Sequence, residues 1–176
     1  MPADMGKAVK ELDVPPALLH SVILEHVLRS GRVEVAKKLA QEAQLRLDQA
    51  DVQPYVDVLK VTADIKERQL DTALAFVETH KERLLRLNLT IGFEVAKKRY
   101  LQLLLDGQLA EAIAFSKRHF PPFFARHSAE VRALMGCVAY ASRGLLNSPY
   151  KHLVCPESWP YLAQVCTLNP LVLLVP

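Results

Sequence analysis

A Ser-Gly pair at positions 30 and 31 splits residues 18–43 (LLHSVILEHVLRSGRVEVAKKLAQEA) into two segments, each apolar at helical spacing. This stretch limits the possible folds more than any other. Leu19, Ile23, Val27 and Leu28 make an i, i+4, i+8 ladder on the first segment. Val33, Ala36, Leu39 and Ala40 do the same on the second. Glycine enters the left-handed backbone that ends many helices without steric cost, so Gly31 is the expected turn. Neither helix can bury its stripe alone, so the two must fold on each other or on a partner.

The pattern recurs. GRVEVAKKLA (residues 31–40) aligns with RQLDTALAFV (68–77) and GQLAEAIAFS (107–116). Each holds a branched aliphatic (Val33, Leu70, Leu109), then an alanine (Ala36, Ala73, Ala112), then Leu or Phe (Leu39, Phe76, Phe115). Ala73 lies 37 residues after Ala36, and Ala112 lies 39 after Ala73. A small residue at that point lets a neighbouring helix approach closely. Near-constant spacing of this size marks stacked helical hairpins, so the expected class is all-α.

Apolar residues at 51% and charged residues at 23% suit a folded chain and argue against disorder. The net charge is +3, and its basic residues alternate with acidic ones, as in KERQLDT and HKERLLR. That is the composition of solvated helix faces, so no nucleic-acid partner is expected. The run Leu171–Val175 falls far short of the ~20 residues of a membrane span, so no membrane partner is expected either. Three cysteines, Cys137, Cys155 and Cys166, form no even framework, and residues 1–13 carry no secretory signal. Both point to a reducing, intracellular setting.

In chain order, residues 1–14 are expected to be a leader, with the first helix starting at Pro15-Pro16. Asp51 is a candidate N-cap with Pro54 in the first turn of a third helix through Tyr55, Val58, Leu59, Thr62 and Ile65. A fourth helix over 70–78 is broken at Thr79-His80-Lys81, and KERLLRLNL is a short helical piece or turn. A helix over 92–105 turns Phe93, Ala96, Tyr100, Leu103 and Leu104 inward, and Gly107 ends it before another to residue 119. Pro121-Pro122 is the clearest break, with Phe123 and Phe124 expected as core anchors behind it. A helix over 128–142 should bury Val131, Leu134, Met135, Val138 and Ala139. Ser148-Pro149 forces extended backbone at Ser148, and a last short helix over 155–165 carries Trp159. The ending LNPLVLLVP completes no period and has no cap, as in a truncated or altered tail.

Sites of chemistry are hard to find. His152, Cys155 and Cys166 are the one Cys/His grouping, but a structural zinc site wants four ligands in paired short spacings. No metal is expected. His80, His119 and His127 sit at expected helix ends, where the ring caps carbonyls. Cys137 lies on an apolar face and reads as a small core residue. The six glycines never cluster into a phosphate loop. Carboxylate pairs such as Asp64/Glu67 and Glu11/Asp13 look like solvated faces. Neither a catalytic constellation nor a cofactor is expected. Tyr55, Phe76, Phe93, Tyr100, Phe115 and Tyr140 are spaced for helix packing. The first hairpin is amphipathic on both helices, so its outer face either meets another chain or docks on later helices.

VILEHVLRSGRVEVAKKLAQEA resembles a LisH motif, with Val22, Ile23, His26, Val27, Gly31, Ala36, Leu39 and Glu42 at its marked positions. His26 stands where an aromatic is usual. PYVDVLKVTADIKERQLDTALAFVETHKERL is similar to a CTLH domain, and FEVAKKRYLQLLLDGQLAEAIAFSKRHFPPF continues it into a CRA domain. ALMGCVAY and NSPYKHLVCPESWPYL look like the CRA core, with Ser148-Pro149-Tyr150 and Trp159 as landmarks. The implied divisions are a LisH-like hairpin over 15–45, CTLH-like helices over 52–120, CRA-like helices over 108–167 and a tail over 168–176. This order is that of subunits of the GID/CTLH ubiquitin ligase. HFPPF, VRALMG and GLLNSPY look most like the RING-bearing "required for meiotic nuclear division" type, with the macrophage-erythroblast-attacher type second.

The resemblance implies a scaffold subunit of a multisubunit RING-type ligase, cytoplasmic and nuclear, that promotes proteasomal degradation of substrates such as gluconeogenic enzymes. Its partners would be other LisH–CTLH–CRA subunits, with a homo- or heterodimer through the first hairpin. The implied interface residues are Val22, Ile23, His26, Val27, Val35, Leu39, Tyr150 and Trp159. Such subunits also carry a RING-like domain and a longer N-terminal helical region, and no part of this sequence reads as either. Ligase activity is therefore expected of a complex and not of these residues. The alternative is a helical-repeat adaptor that binds peptides or proteins without any link to ubiquitin.

Overall fold

The computed structural model describes residues 15–173, with side chains as far as Cys166. The expected leader over 1–14 lies outside the described residues, as do the side chains of the expected tail. Nine α-helices and no strand occur among the described residues: α1 (Pro16–Arg29), α2 (Val33–Glu42), α3 (Gln49–Lys66), α4 (Asp71–Thr79), α5 (Lys81–Arg86), α6 (Ile91–Leu105), α7 (Leu109–His119), α8 (Phe124–Gly136) and α9 (Ser158–Leu173). The chain divides into two compact units, residues 1–56 and 57–176.

In the first unit α1 and α2 form the expected hairpin. Gly31 has φ +80°. Its N–H donates to Leu28 O at 2.9 Å, and the N–H of Arg32 donates to Val27 O at 3.2 Å. This pair of bonds ends α1 by satisfying carbonyls that the helix leaves open. Leu24 and Leu28 close on Ala36, Ala40 and Val52, all buried. The expected ladder is corrected here. Leu19 and Ile23 are exposed, and the inward pair is Leu24 and Leu28. α1 carries apolar residues on two faces, and only one can meet α2. α3 starts earlier than expected, at Gln49, because Asp51 reaches back as a helical residue and accepts the N–H of Asp48 at 3.0 Å.

The second unit is built around α6. One face of α6, with Ile91 and Val95, joins Ile65, Leu70, Ala73, Leu84 and Leu162 in one core. Another, with Phe93, Tyr100 and Leu104, joins Ala112, Phe120, Val131, Leu134 and Cys137 in a second. A helix with cores on two sides has little surface left for solvent, and even Glu94 and Lys98 are buried on α6.

The three repeat alanines are the closest-packed points of their helices: Ala36, Ala73 and Ala112 are all buried. The residue five before each, Gly31, Arg68 and Gly107, has φ of +80°, +63° and +76°. Arg68 thus holds a left-handed turn position that its two counterparts give to glycine. Gln44 and Asn88 do the same after α2 and α5. At both, as at Arg68 and Gly107, two backbone bonds repeat the pattern of Gly31.

Other expectations shift. KERLLR is a true helix, α5. α8 begins at Phe124, which is exposed and anchors no core; only Phe123 packs inward, its ring 5.6 Å from Phe93. α8 is kinked at His127 and passes into a 3₁₀ turn over Cys137–Tyr140. The inward residues are Val131 and Leu134 on α8 and Cys137 at the start of the 3₁₀ turn, while Met135 and Ala139 are exposed. α9 starts at Ser158 and runs to Leu173, well beyond the short helix expected over 155–165.

Candidate protein-interaction surfaces

On the first unit, Leu18, Leu19, Val22 and Ile23 follow i, i+1, i+4, i+5 spacing on α1 and are all exposed, Val22 at 57% and Ile23 at 40%. Val35 is exposed on α2. His26 is exposed one turn beyond Val22, whereas Val27 and Leu39 are half-buried against the hairpin core. Leaving an aliphatic side chain in water forgoes roughly 1.5–3 kcal/mol, so five clustered on one small hairpin are costly unless something covers them. Of the residues expected at an interface, Val22, Ile23, His26 and Val35 are exposed, while Val27 and Leu39 pack against the hairpin core.

On the second unit, Tyr150 and Trp159 have mainly structural surroundings. Ser148 is buried with extended backbone, as the following proline requires. Its hydroxyl donates to Leu145 O at 2.7 Å and accepts the N–H of Tyr150 at 3.1 Å. This clasp sets the half-buried Tyr150 ring against Tyr140, centroids 5.8 Å apart, and over Gly136. A Cβ at Gly136 would lie 2.7 Å from Tyr150 Cζ, so only glycine fits there. Trp159 is half-buried against the core that holds Leu162, and the ammonium of Lys98 stands 5.4 Å from its ring centre.

Lys98 is a feature that sequence reading missed. It is buried at 4% exposure, and its Nζ donates to the hydroxyl of Ser158. In the sequence it is one of two adjacent lysines on a helix, which reads as solvated. Burial, then the neighbouring Lys97, pushes its ammonium down to about 8. Lys97 itself is paired, at 2.8 Å from Glu94 and 3.5 Å from Glu130.

The histidines do not act as expected. His80, His119 and His127 lay their rings on Phe76, Phe115 and Phe93, at 4.6, 4.2 and 4.1 Å. His127 Nδ1 is also 2.9 Å from Glu130. A cleft of about 230 Å³ is floored by Leu74, Val77, Phe115 and Phe123 and edged by Arg118 and His119. Burial, then Arg118, lowers the His119 pKa. His152 Nδ1 lies 3.1 Å from Pro149 O. Burial raises the Cys137 thiol to about 11 and the Cys166 thiol to about 12, so both stay protonated at neutral pH. Among the described residues no group of three or more His, Cys, Asp or Glu side chains is placed to hold a metal ion, and no helix is long and apolar enough to cross a membrane.

Residues 54–171 match the family described as CTLH/CRA C-terminal to LisH motif domain. The E3 ubiquitin-protein transferase RMND5B of Homo sapiens is 32% identical over 158 residues, which are 89% of this chain and 40% of that protein. GID complex subunit 9 of Schizosaccharomyces pombe is 27% identical over 158 residues, 90% of this chain and 39% of its own length. Protein fyv10 of Aspergillus terreus is 27% identical over 150 residues, 84% and 36% of the two chains. The chain thus spans about two fifths of the length of these curated relatives. At 89% of the chain the similarity extends beyond residues 54–171 and takes in part of the N-terminal hairpin. The chain belongs to the CTLH/CRA C-terminal to LisH motif domain family.

Proposed function

We propose that this chain is an assembly segment of a GID/CTLH-type ubiquitin ligase complex and works by protein contacts. Two relatives lend the reading its terms: one is named an E3 ubiquitin-protein transferase, the other a GID complex subunit. The observation that carries it to a mechanism is the exposed aliphatic face of the first hairpin, Leu18, Leu19, Val22, Ile23 and Val35. That face is the pairing surface, with His26, Val27 and Leu39 at its inner edge. It pairs with a second hairpin of its kind, from another LisH–CTLH–CRA subunit or from a second copy. The α3–α9 bundle holds the hairpin within the complex, and Tyr150 and Trp159 shape a further contact surface on it. In this reading the complex works in cytoplasm and nucleus and marks its substrates for the proteasome.

The test is affinity purification of the tagged chain from cells, with mass spectrometry of what comes with it. Stoichiometric recovery of other LisH–CTLH–CRA subunits is the expected result. Recovery of the chain without any of them contradicts the proposal.

A further inference from the structure

The geometry points to a carboxylate-binding site in the cavity of about 110 Å³ beside Trp159, where Lys98 and Arg68 receive the C-terminal carboxylate of a peptide with an apolar last residue. The site is separate from the hairpin surface and stands or falls independently of the ubiquitin reading.

An ammonium has three hydrogens to donate, and the Lys98 ammonium spends one of them, on Ser158 Oγ. That hydroxyl in turn donates to Cys155 O. Glu94, one turn before Lys98, is committed to Lys97 at 2.8 Å. No carboxylate lines the cavity. Glu94 therefore attracts the Lys98 ammonium without pairing with it, and a cation buried this deeply is unfavourable unless a partner supplies a closer opposite charge. Burial, then the charge of Lys97, lowers its pKa to about 8, and the attraction of Glu94 offsets this only in part.

The other walls match the rest of a chain terminus. Lys98, Leu101, Gln102 and Leu105 follow i, i+3, i+4, i+7 spacing on α6 and all line the cavity. Gln102 donates its Nε2 hydrogen to Arg68 O at 3.0 Å, which fixes the orientation of the amide. Its Oε1 has no hydrogen-bond partner, so it can accept the last peptide N–H once the ligand turns the amide toward the cavity. Leu101, Leu105 and Leu153 offer an apolar wall for one small side chain. Arg68 brings a second cation, its backbone held left-handed between α3 and α4. The volume admits a carboxylate and a side chain of about valine size, and little more.

The site is tested by nitrogen and carbon NMR of the lysine side chains in the whole chain, titrated from pH 6 to 11 (about five units). The probes are acetyl-Gly-Val as the free acid, the same peptide as the C-terminal amide, and acetyl-Asp-Val-amide. Each is present at about 10 mM, enough for millimolar affinity. The free acid is expected to raise the Lys98 midpoint by about one unit and to shift the Trp159 indole signal, while the first amide does neither. An equal rise with acetyl-Asp-Val-amide keeps the carboxylate site and overturns its assignment to a chain terminus. No rise with either acid overturns the site. Lys98→Met is expected to abolish the Trp159 response to the free acid, and an unchanged response in that variant also overturns it.

Discussion

Replacing the buried Lys98 with methionine should stabilise this protein at neutral pH, although it removes a hydrogen bond. The lysine is 4% exposed and its ammonium is lowered from the usual 10.5 to about 8. A gap of that size corresponds to about 3 kcal/mol that the charged form costs in the fold. A group whose folded pKa is depressed contributes its full stability only above the unfolded value. Here the penalty is complete below about pH 8 and disappears as pH rises through 10.5. Methionine has similar length, fills the same space and takes no charge. Losing the bond to Ser158 costs about 1 kcal/mol, so the variant should gain roughly 1–2 kcal/mol at pH 7. At pH 10 the wild type has shed most of its penalty, the difference falls by about 2.5 kcal/mol, and the order of stability reverses. Urea unfolding of both proteins at the two pH values decides the matter. A variant that is less stable at pH 7, or a difference that does not change with pH, would refute the assignment of Lys98 as a buried cation whose burial is only partly offset.

Arg68→Gly should stabilise by about 0.5–1 kcal/mol, because glycine accepts φ of +63° freely; thermal unfolding reads it as a higher Tm, and a fall in Tm counts against the shared turn geometry of the three repeats. Gly136→Ala should cost about 1–3 kcal/mol by driving a methyl group against the Tyr150 ring, and the additional change Tyr150→Ala should recover part of that loss. Under native alkylation with iodoacetamide, Cys155 should react first, since it is half-buried whereas Cys137 and Cys166 are buried thiols held protonated. Peptide mapping that finds Cys137 labelled before Cys155 would contradict their packing.

Much of the fold follows from two simple signals. The recurring alanines were legible because a helix crossing tolerates only a small residue there, and all three are buried. Gly31 and Gly107 were legible because glycine announces a left-handed turn. Gln44, Arg68 and Asn88 make the same turn with side chains that announce nothing, which is why the connectors around α3 and α5 were blurred. The repeat alignment still held the clue, since Arg68 falls on the glycine position of the other two units. Phe124 was misplaced because two adjacent aromatics cannot both face one core when the helix starts at the first residue after the turn. The hairpin is legible, and so is the inward face of α2, but on α1 Leu19 and Ile23 turn outward and Leu24 takes their place beside Leu28. α1 is apolar around much of its girth, and periodicity alone does not say which stripe meets α2. Lys98 was invisible, because its burial comes from α9, more than fifty residues away in sequence.

Ile23→Asp tests the central claim most directly. Ile23 is 40% exposed on the outer face of α1, so a carboxylate there should leave the isolated chain folded, whereas Leu39→Asp would also strike the hairpin core. Buried in an interface, the same carboxylate costs several kcal/mol, enough to lower affinity by a factor of a hundred or more (about 1.4 kcal/mol per tenfold). The measurement is co-purification of the wild type and the variant with other LisH–CTLH–CRA subunits, with circular dichroism showing that the variant keeps its helix content. Loss of the partners from a folded variant is the expected result. Recovery of the partners at wild-type yield would show that the hairpin is not the pairing surface.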